Sequence, residues 1–154
     1  MNRIELISVG KLKFREFQSL EEKYLQRIQY YVKFSLKNLR EQKVADEKVL
    51  RVREGEQMLS ALSKQDHVVC LDVAGRRMNS PDFAAFIGRC MAQVPGRLVF
   101  MVGGHTGFSE AVLARANERI SFSPMTFPHD LFRILFLEQL YRALTIVKGH
   151  SYHR

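Results

Sequence analysis

Five side chains able to move protons or hold anions crowd the C-terminal end of this sequence: Arg142, His150, Tyr152, His153 and Arg154. Guanidinium groups grip phosphates and carbonyl oxygens, while imidazole and phenol exchange protons. A chain end is ordinarily frayed and expendable, so such a set in that place directs attention to function. A second concentration follows an apolar run. Leu98–Val102 (LVFMV) leads directly into Gly103-Gly104-His105-Thr106-Gly107. In open α/β sheets ligands bind beyond the carboxyl ends of strands, and glycines there let a ligand approach the backbone. The spacing G-G-x-x-G matches neither the dinucleotide fingerprint nor the P-loop. Taken alone, the turn reads equally well as a binding loop and as a plain strand-to-helix connection.

A third stretch, Ser121-Phe122-Ser123-Pro124-Met125-Thr126-Phe127-Pro128-His129, mixes hydroxyls with two stiffening prolines. Phe122, Met125 and Phe127 suit the walls of a pocket for a flat ring, or simply a core. Asp72 closes another apolar run, where an acid binds ribose hydroxyls, caps the turn, or pairs with Arg76 or Arg77. His129 is expected to make a local hydrogen bond. His150 and His153 have the spacing of a weak metal pair, but no cysteine or carboxylate cluster accompanies them, and a metal site is rejected. Cys70 and Cys90 are expected to be buried free thiols.

These groups need elements to position them. Ile4–Val9 reads as a strand, and Phe17, Leu20, Tyr24, Ile28 and Tyr31 recur at helical steps. Phe34 and Leu36 suggest a second strand. A helix over 46–62 follows, with Val49, Leu50, Met58, Leu59 and Leu62 on its apolar side. His67–Asp72 is a strand covered on both faces, and Ala74-Gly75-Arg76 turns the chain. Ser80 is expected to cap a helix reaching about Ala92, with Pro81 and Asp82 in its first turn. Leu98–Val102 and Ile120–Phe122 are further strands, and Ser109-Glu110 opens a short helix. A terminal helix ends at Gly149. Alternating strands and helices predict a single-domain α/β fold, with a mostly parallel sheet and helices on both faces. The terminal helix is apolar almost all round, which predicts burial on several sides, in a large core or at an oligomer interface, and in so small a domain a homodimer interface is favoured. Glu138 and Arg142 stand four apart, so the guanidinium has a helical partner or awaits a substrate oxygen.

The 154 residues suffice for one core. Hydrophobic content of 46% and charged content of 26% are those of a soluble globular protein. No uncharged apolar run is long enough to span a membrane, and no signal peptide is evident, so a cytoplasmic location is expected. The net charge of +8 favours a polyanionic partner such as RNA. Residues 1–53 carry 13 Lys and Arg against 7 Asp and Glu, a basic face without a basic tail.

In combination, several motifs resemble the SPOUT-class methyltransferases, and among them the bacterial 23S rRNA pseudouridine-N3 methyltransferases. They are Val102-Gly103-Gly104 with Gly107, the 121–129 stretch, Leu137-Glu138-Gln139-Leu140-Tyr141-Arg142-Ala143, and Tyr152-His153-Arg154. Ile7–Leu12 and Glu54–Leu59 also fit, and the resemblance covers the whole chain. It implies a trefoil-knotted fold, a homodimer, no appended RNA-binding domain, and S-adenosylmethionine as methyl donor. The implied donor-binding positions are Leu71, Gly103, Phe122, Ser123, Pro124, Met125, Thr126 and Phe127. Arg142, Tyr152, His153 and Arg154 are the implied catalytic set, acting on 23S rRNA, with the tail completing the site of a partner protomer. Two other readings stand beside it: a non-catalytic basic RNA- or ribosome-binding protein, and a nucleotide-dependent oxidoreductase, disfavoured by the absent fingerprint.

Overall fold

Leu98–Val102 sets the layering of the molecule, because all five of its side chains are buried. A strand alternates its side chains between two faces, so both faces there must be covered. The computed structural model describes residues 2–152. Its strands are β1 (Arg3–Val9), β2 (Lys33–Leu39), β3 (His67–Arg77), β4 (Leu98–Val102) and β5 (Glu118–Ser121). The helices are α1 (Arg15–Gln29), α2 (Glu47–Ser60), α3 (Ser80–Gln93), α4 (Glu110–Arg115) and α5 (His129–Val147). The strands form one sheet in the order β2-β1-β4-β3-β5, and every pairing is parallel. From β4, Leu98, Phe100 and Val102 face a core shared with α1, α3 and α5. Val99 and Met101 face a smaller core closed by Met58 of α2 and Val112 of α4. The expected α/β class and parallel sheet are what the chain adopts.

Three local expectations are corrected. Residues 74–76 do not turn the chain, because β3 runs on to Arg77 with a register irregularity against β5 between Leu71 and Arg76. Gly75 allows this: a Cβ there would stand 2.6 Å from the Arg119 carbonyl carbon and the Ile120 nitrogen. Ser80 does not cap α3. Asn79 does, its side chain accepting from the Asp82 amide at 2.8 Å, while Ser80 donates to Gln139 of α5 at 2.7 Å. Val49 is 41% exposed and lies off the buried side of α2. The expected burial of α5 on several sides is met within the chain, where most of its apolar surface is absorbed. Phe136, Leu137, Leu140, Ala143 and Leu144 are buried in its own core, leaving Leu131 and Val147 partly open.

The buried face of α5 also carries Arg133, whose guanidinium approaches Glu21 of α1 at 2.6 Å. The contact is an ion pair by proximity, without aligned hydrogen-bond geometry. It ties α5 to α1 close to the turn after β1, where Arg133 also donates to the Gly10 carbonyl at 3.4 Å.

Candidate active site

A cavity of about 500 Å³ opens beyond the carboxyl ends of β3, β4 and β5. Its walls come from three places in the sequence: the end of β3, the glycine-rich turn after β4, and the 121–129 segment. Leu71, Gly103, Phe122, Ser123, Met125, Thr126 and Phe127 all line it, and Pro124 does not. Phe122 bridges cavity and core, meeting the Phe83 ring edge-on at 5.0 Å and stacking on Phe136 at 6.2 Å. Phe127 stacks on Phe132. The segment braces itself: the Ser121 hydroxyl donates to the Ser123 carbonyl at 3.0 Å, and the Ser123 hydroxyl accepts from the Met125 amide at 3.0 Å. A wall built this way is set before any ligand arrives. A cavity of similar volume, about 460 Å³, lies at the amino ends of the strands beside Lys64, His67 and Arg89. It gathers none of the anticipated residues, and the site of interest is the one beside the glycine turn.

Sequence spacing undervalues two wall residues. Asp72 pairs with Arg119 of β5 at 2.6 Å, not with Arg76 or Arg77. Its partner is distant in sequence and invisible to local spacing. His129 is not a local hydrogen-bonding residue. Its Nε2 stands 3.1 Å from the Ser8 hydroxyl on β1, and it also bonds to the Val9 backbone. Burial depresses its pKa, so the imidazole on the cavity wall is neutral at physiological pH.

Arg142 and Tyr152 come together around one carboxylate. Glu138 pairs with Arg142 one turn along α5 and accepts from the Tyr152 hydroxyl at 3.3 Å. The Arg142 guanidinium lies over the Tyr152 ring, 5.0 Å from its centre, and the ring meets Tyr141 edge-on at 4.7 Å. The hydrogen bond to Glu138 raises the Arg142 pKa above its ordinary value. Burial, with neighbouring Tyr24 and Glu138, raises that of Tyr152, so it stays a protonated donor. Tyr31 bonds His150 at 2.7 Å. His153 and Arg154 lie outside the described residues. None of the described residues of this group lines the cavity: roughly 15 Å of helix separates Phe132 on its wall from Arg142.

Residues 2–153 match the family model described as "Predicted SPOUT methyltransferase". The chain belongs to the SPOUT methyltransferase family. It is 40% identical to "Ribosomal RNA large subunit methyltransferase H" of Clostridium acetobutylicum, across 98% of this chain and 99% of that protein. The protein of the same name from Christiangramia forsetii is 41% identical over 97% and 98% of the two chains. That of Bacillus pumilus is 38% identical over 98% and 99%.

For a SPOUT methyltransferase the geometry divides the work. The cavity offers an apolar wall from Phe122, Met125 and Phe127, backbone groups at Gly103 and Gly104, and a carboxylate at Asp72. Such a surface suits a mixed polar and aromatic small molecule, and enzymes of this family generally use S-adenosylmethionine. The Arg142 group offers a cation and a phenolic donor, suited to oxygens on a substrate.

Proposed function

We propose that this protein transfers a methyl group from S-adenosylmethionine to N3 of a pseudouridine in 23S ribosomal RNA. The observation that carries the proposal is the cavity at the strand ends. It gathers Leu71, Gly103 and the 122–127 segment in a chain related over nearly its whole length to large-subunit rRNA methyltransferases. Bound there, S-adenosylmethionine supplies an electrophilic methyl on a positively charged sulfur. The residues present fit it. The aromatic wall takes its ring, the glycine turn leaves its backbone open to polar groups, and neutral His129 does not repel its cation.

N3 of the base carries a proton between two carbonyls, and its removal would spread negative charge onto the flanking oxygens. N3 would then take the methyl carbon as the methyl–sulfur bond breaks, the sulfonium leaving as a neutral thioether. Arg142 donates to a carbonyl oxygen and stabilises that charge. Tyr152, held protonated, orients the base, while His153 receives the N3 proton and Arg154 grips the RNA backbone. Glu138 fixes Arg142 and Tyr152 relative to each other. The distance along α5 between Arg142 and the cavity favours a homodimer in which the tail of one protomer completes the site of its partner. The C-terminal third forms the trefoil knot that the family resemblance implies, and the enzyme works in the cytoplasm. It recognises its substrate through the basic surface of the methyltransferase domain itself, within a preassembled ribosomal shape.

Calorimetry with S-adenosylmethionine and with NAD is the first test. Binding of the methyl donor alone is expected, and its absence would favour a non-catalytic RNA-binding protein. Methylation of 23S rRNA by the wild type, lost in Arg142→Ala with donor affinity unchanged, is the second. Full activity in that variant would remove Arg142 from the mechanism.

A further inference from the structure

Glu54 on α2 is a buried carboxyl, only 4% exposed. It sits directly behind the glycine-rich turn. A Cβ added to Gly104 would stand 2.7 Å from both Glu54 oxygens and 3.1 Å from its carboxyl carbon. At that distance a methyl at position 104 requires either the enclosed Glu54 carboxyl or the turn itself to shift. Gly104 lines the cavity on its other side, and Glu54 does not. A single thickness of backbone therefore separates the carboxyl from the proposed methyl-donor site.

The foot of the turn is docked on the same helix. Arg51 donates to the Thr106 carbonyl at 2.8 Å, and Gly55 packs so closely on Ser109 that a Cβ there would overlap its hydroxyl. Gly107, at φ +81°, closes the turn by donating to the Gly104 carbonyl at 3.1 Å. Within this docked unit Glu54 Oε1 is buried and has no hydrogen-bond partner. An enclosed carboxyl oxygen without a partner costs stability. Hydrogen bonding by Oε1 therefore does not explain the residue. Its contact with Gly104 remains, beside an electrostatic interaction with His105 of the same turn.

We infer that Glu54 is a positioning residue for the methyl-donor cavity: its side chain is a strut that holds Gly103 and Gly104 at the height the donor requires. The inference rests on the cavity being the donor site. Length and shape carry the effect, so Glu54→Gln preserves it and shortening the side chain does not. In Gly104→Ala the new methyl meets the strut and drives the turn into the cavity. In Glu54→Ala the turn sinks toward α2. When the two substitutions are combined, the methyl added at position 104 fills part of the vacated space, and the turn returns toward its place.

Donor affinity by calorimetry, KM and kcat for the donor, and hydrogen exchange of the 103–107 amides in ligand-free protein test the strut. Gly104→Ala is expected to weaken donor binding about tenfold or more. Glu54→Ala should raise KM with little change in kcat and speed exchange in the turn. The double variant should bind better than either single one, and Glu54→Gln should behave as wild type in affinity and exchange. Losses that add in the double variant overturn the strut. So does a Glu54→Ala protein with a lowered Tm but unaltered donor affinity and exchange. If Glu54→Ala does not fold, Glu54→Asp, one methylene shorter, carries the same expectations. If the wild type binds no S-adenosylmethionine, the donor assignment falls, and unaltered exchange at 103–107 then removes the strut separately.

Discussion

His129 opens α5, far along the chain from the glycine turn with which it shares a cavity, and its charge state matters to the site it lines. Burial lowers its pKa, and Arg133 lowers it further, against Asp130, Glu41 and a bond to the Val9 backbone. A group depressed in the fold favours the folded state above its unfolded value, about 6.5 for histidine, and the neutral form is lost as pH falls through the folded value. Protonation also places a cation beside a cationic donor. Donor affinity measured by calorimetry is expected to fall as pH drops through that depressed folded value, which lies below the usual value of about 6.5, and His129→Asn should flatten that dependence. Asp66 behaves as a structural counterpart at the opposite end of the sheet. Burial alone would raise its pKa, but Arg97 at 3.0 and 2.6 Å and the Ser63 amide at 2.7 Å outweigh this and lower it. Its stabilisation is present above about 3.9 and lost as pH falls through the depressed folded value. Asp66→Asn should cost about 2 kcal/mol at neutral pH, read by denaturant unfolding, and should blunt the acid limb of stability.

At the scale of elements, the irregular pairing of β3 with β5 positions both Asp72 and the start of the 121–129 wall. At Gly75 the β5 backbone of Arg119 and Ile120 leaves no room for a Cβ. Gly75→Ala forces them apart and is expected to destabilise by about 2 kcal/mol, with loss of donor binding because two walls of the cavity move together. Asn79→Ala should cost only about 1 kcal/mol and spare the cavity, since the cap acts on α3 alone. Thermal unfolding beside calorimetry separates the two. The extension of β3 is hidden in the sequence because Ala-Gly-Arg carries turn chemistry locally. The close approach of β5 that turns the glycine into a strand residue is a long-range fact. The cap of α3 falls one residue from its expected place because asparagine and serine cap equally well, and only the bond from Ser80 to Gln139 takes the hydroxyl away.

At the scale of the molecule, one protomer holds the proposed donor cavity and the Arg142 group apart along α5. If the tail completes a partner's site, Arg142→Ala and a cavity-filling Gly103→Val should each be inactive alone. Co-expressed, they should recover about a quarter of wild-type methylation, because half of randomly assorted dimers are mixed and each has one intact site. No recovery would place the whole reaction within a protomer. The positive excess should also make RNA binding fall steeply with salt, measured by filter binding between low and moderate ionic strength.

Periodicity and punctuation in the sequence determined the alternation of strands and helices, the buried β4 run, the glycine turn after it, the start of α4 and the end of α5. Those are local properties, set by side-chain spacing and by the backbone freedom of particular residues. The 102–107 and 121–129 motifs likewise marked two walls of the cavity. Tertiary structure alone decided that Asp72 pairs with Arg119, that His129 reaches Ser8 on β1, and that most of the apolar surface of α5 is spent inside the chain. It also decided that the glycine at 104 makes room for Glu54. Each of these joins residues far apart in the chain, where spacing carries no signal and only the packing of one element on another chooses the partner.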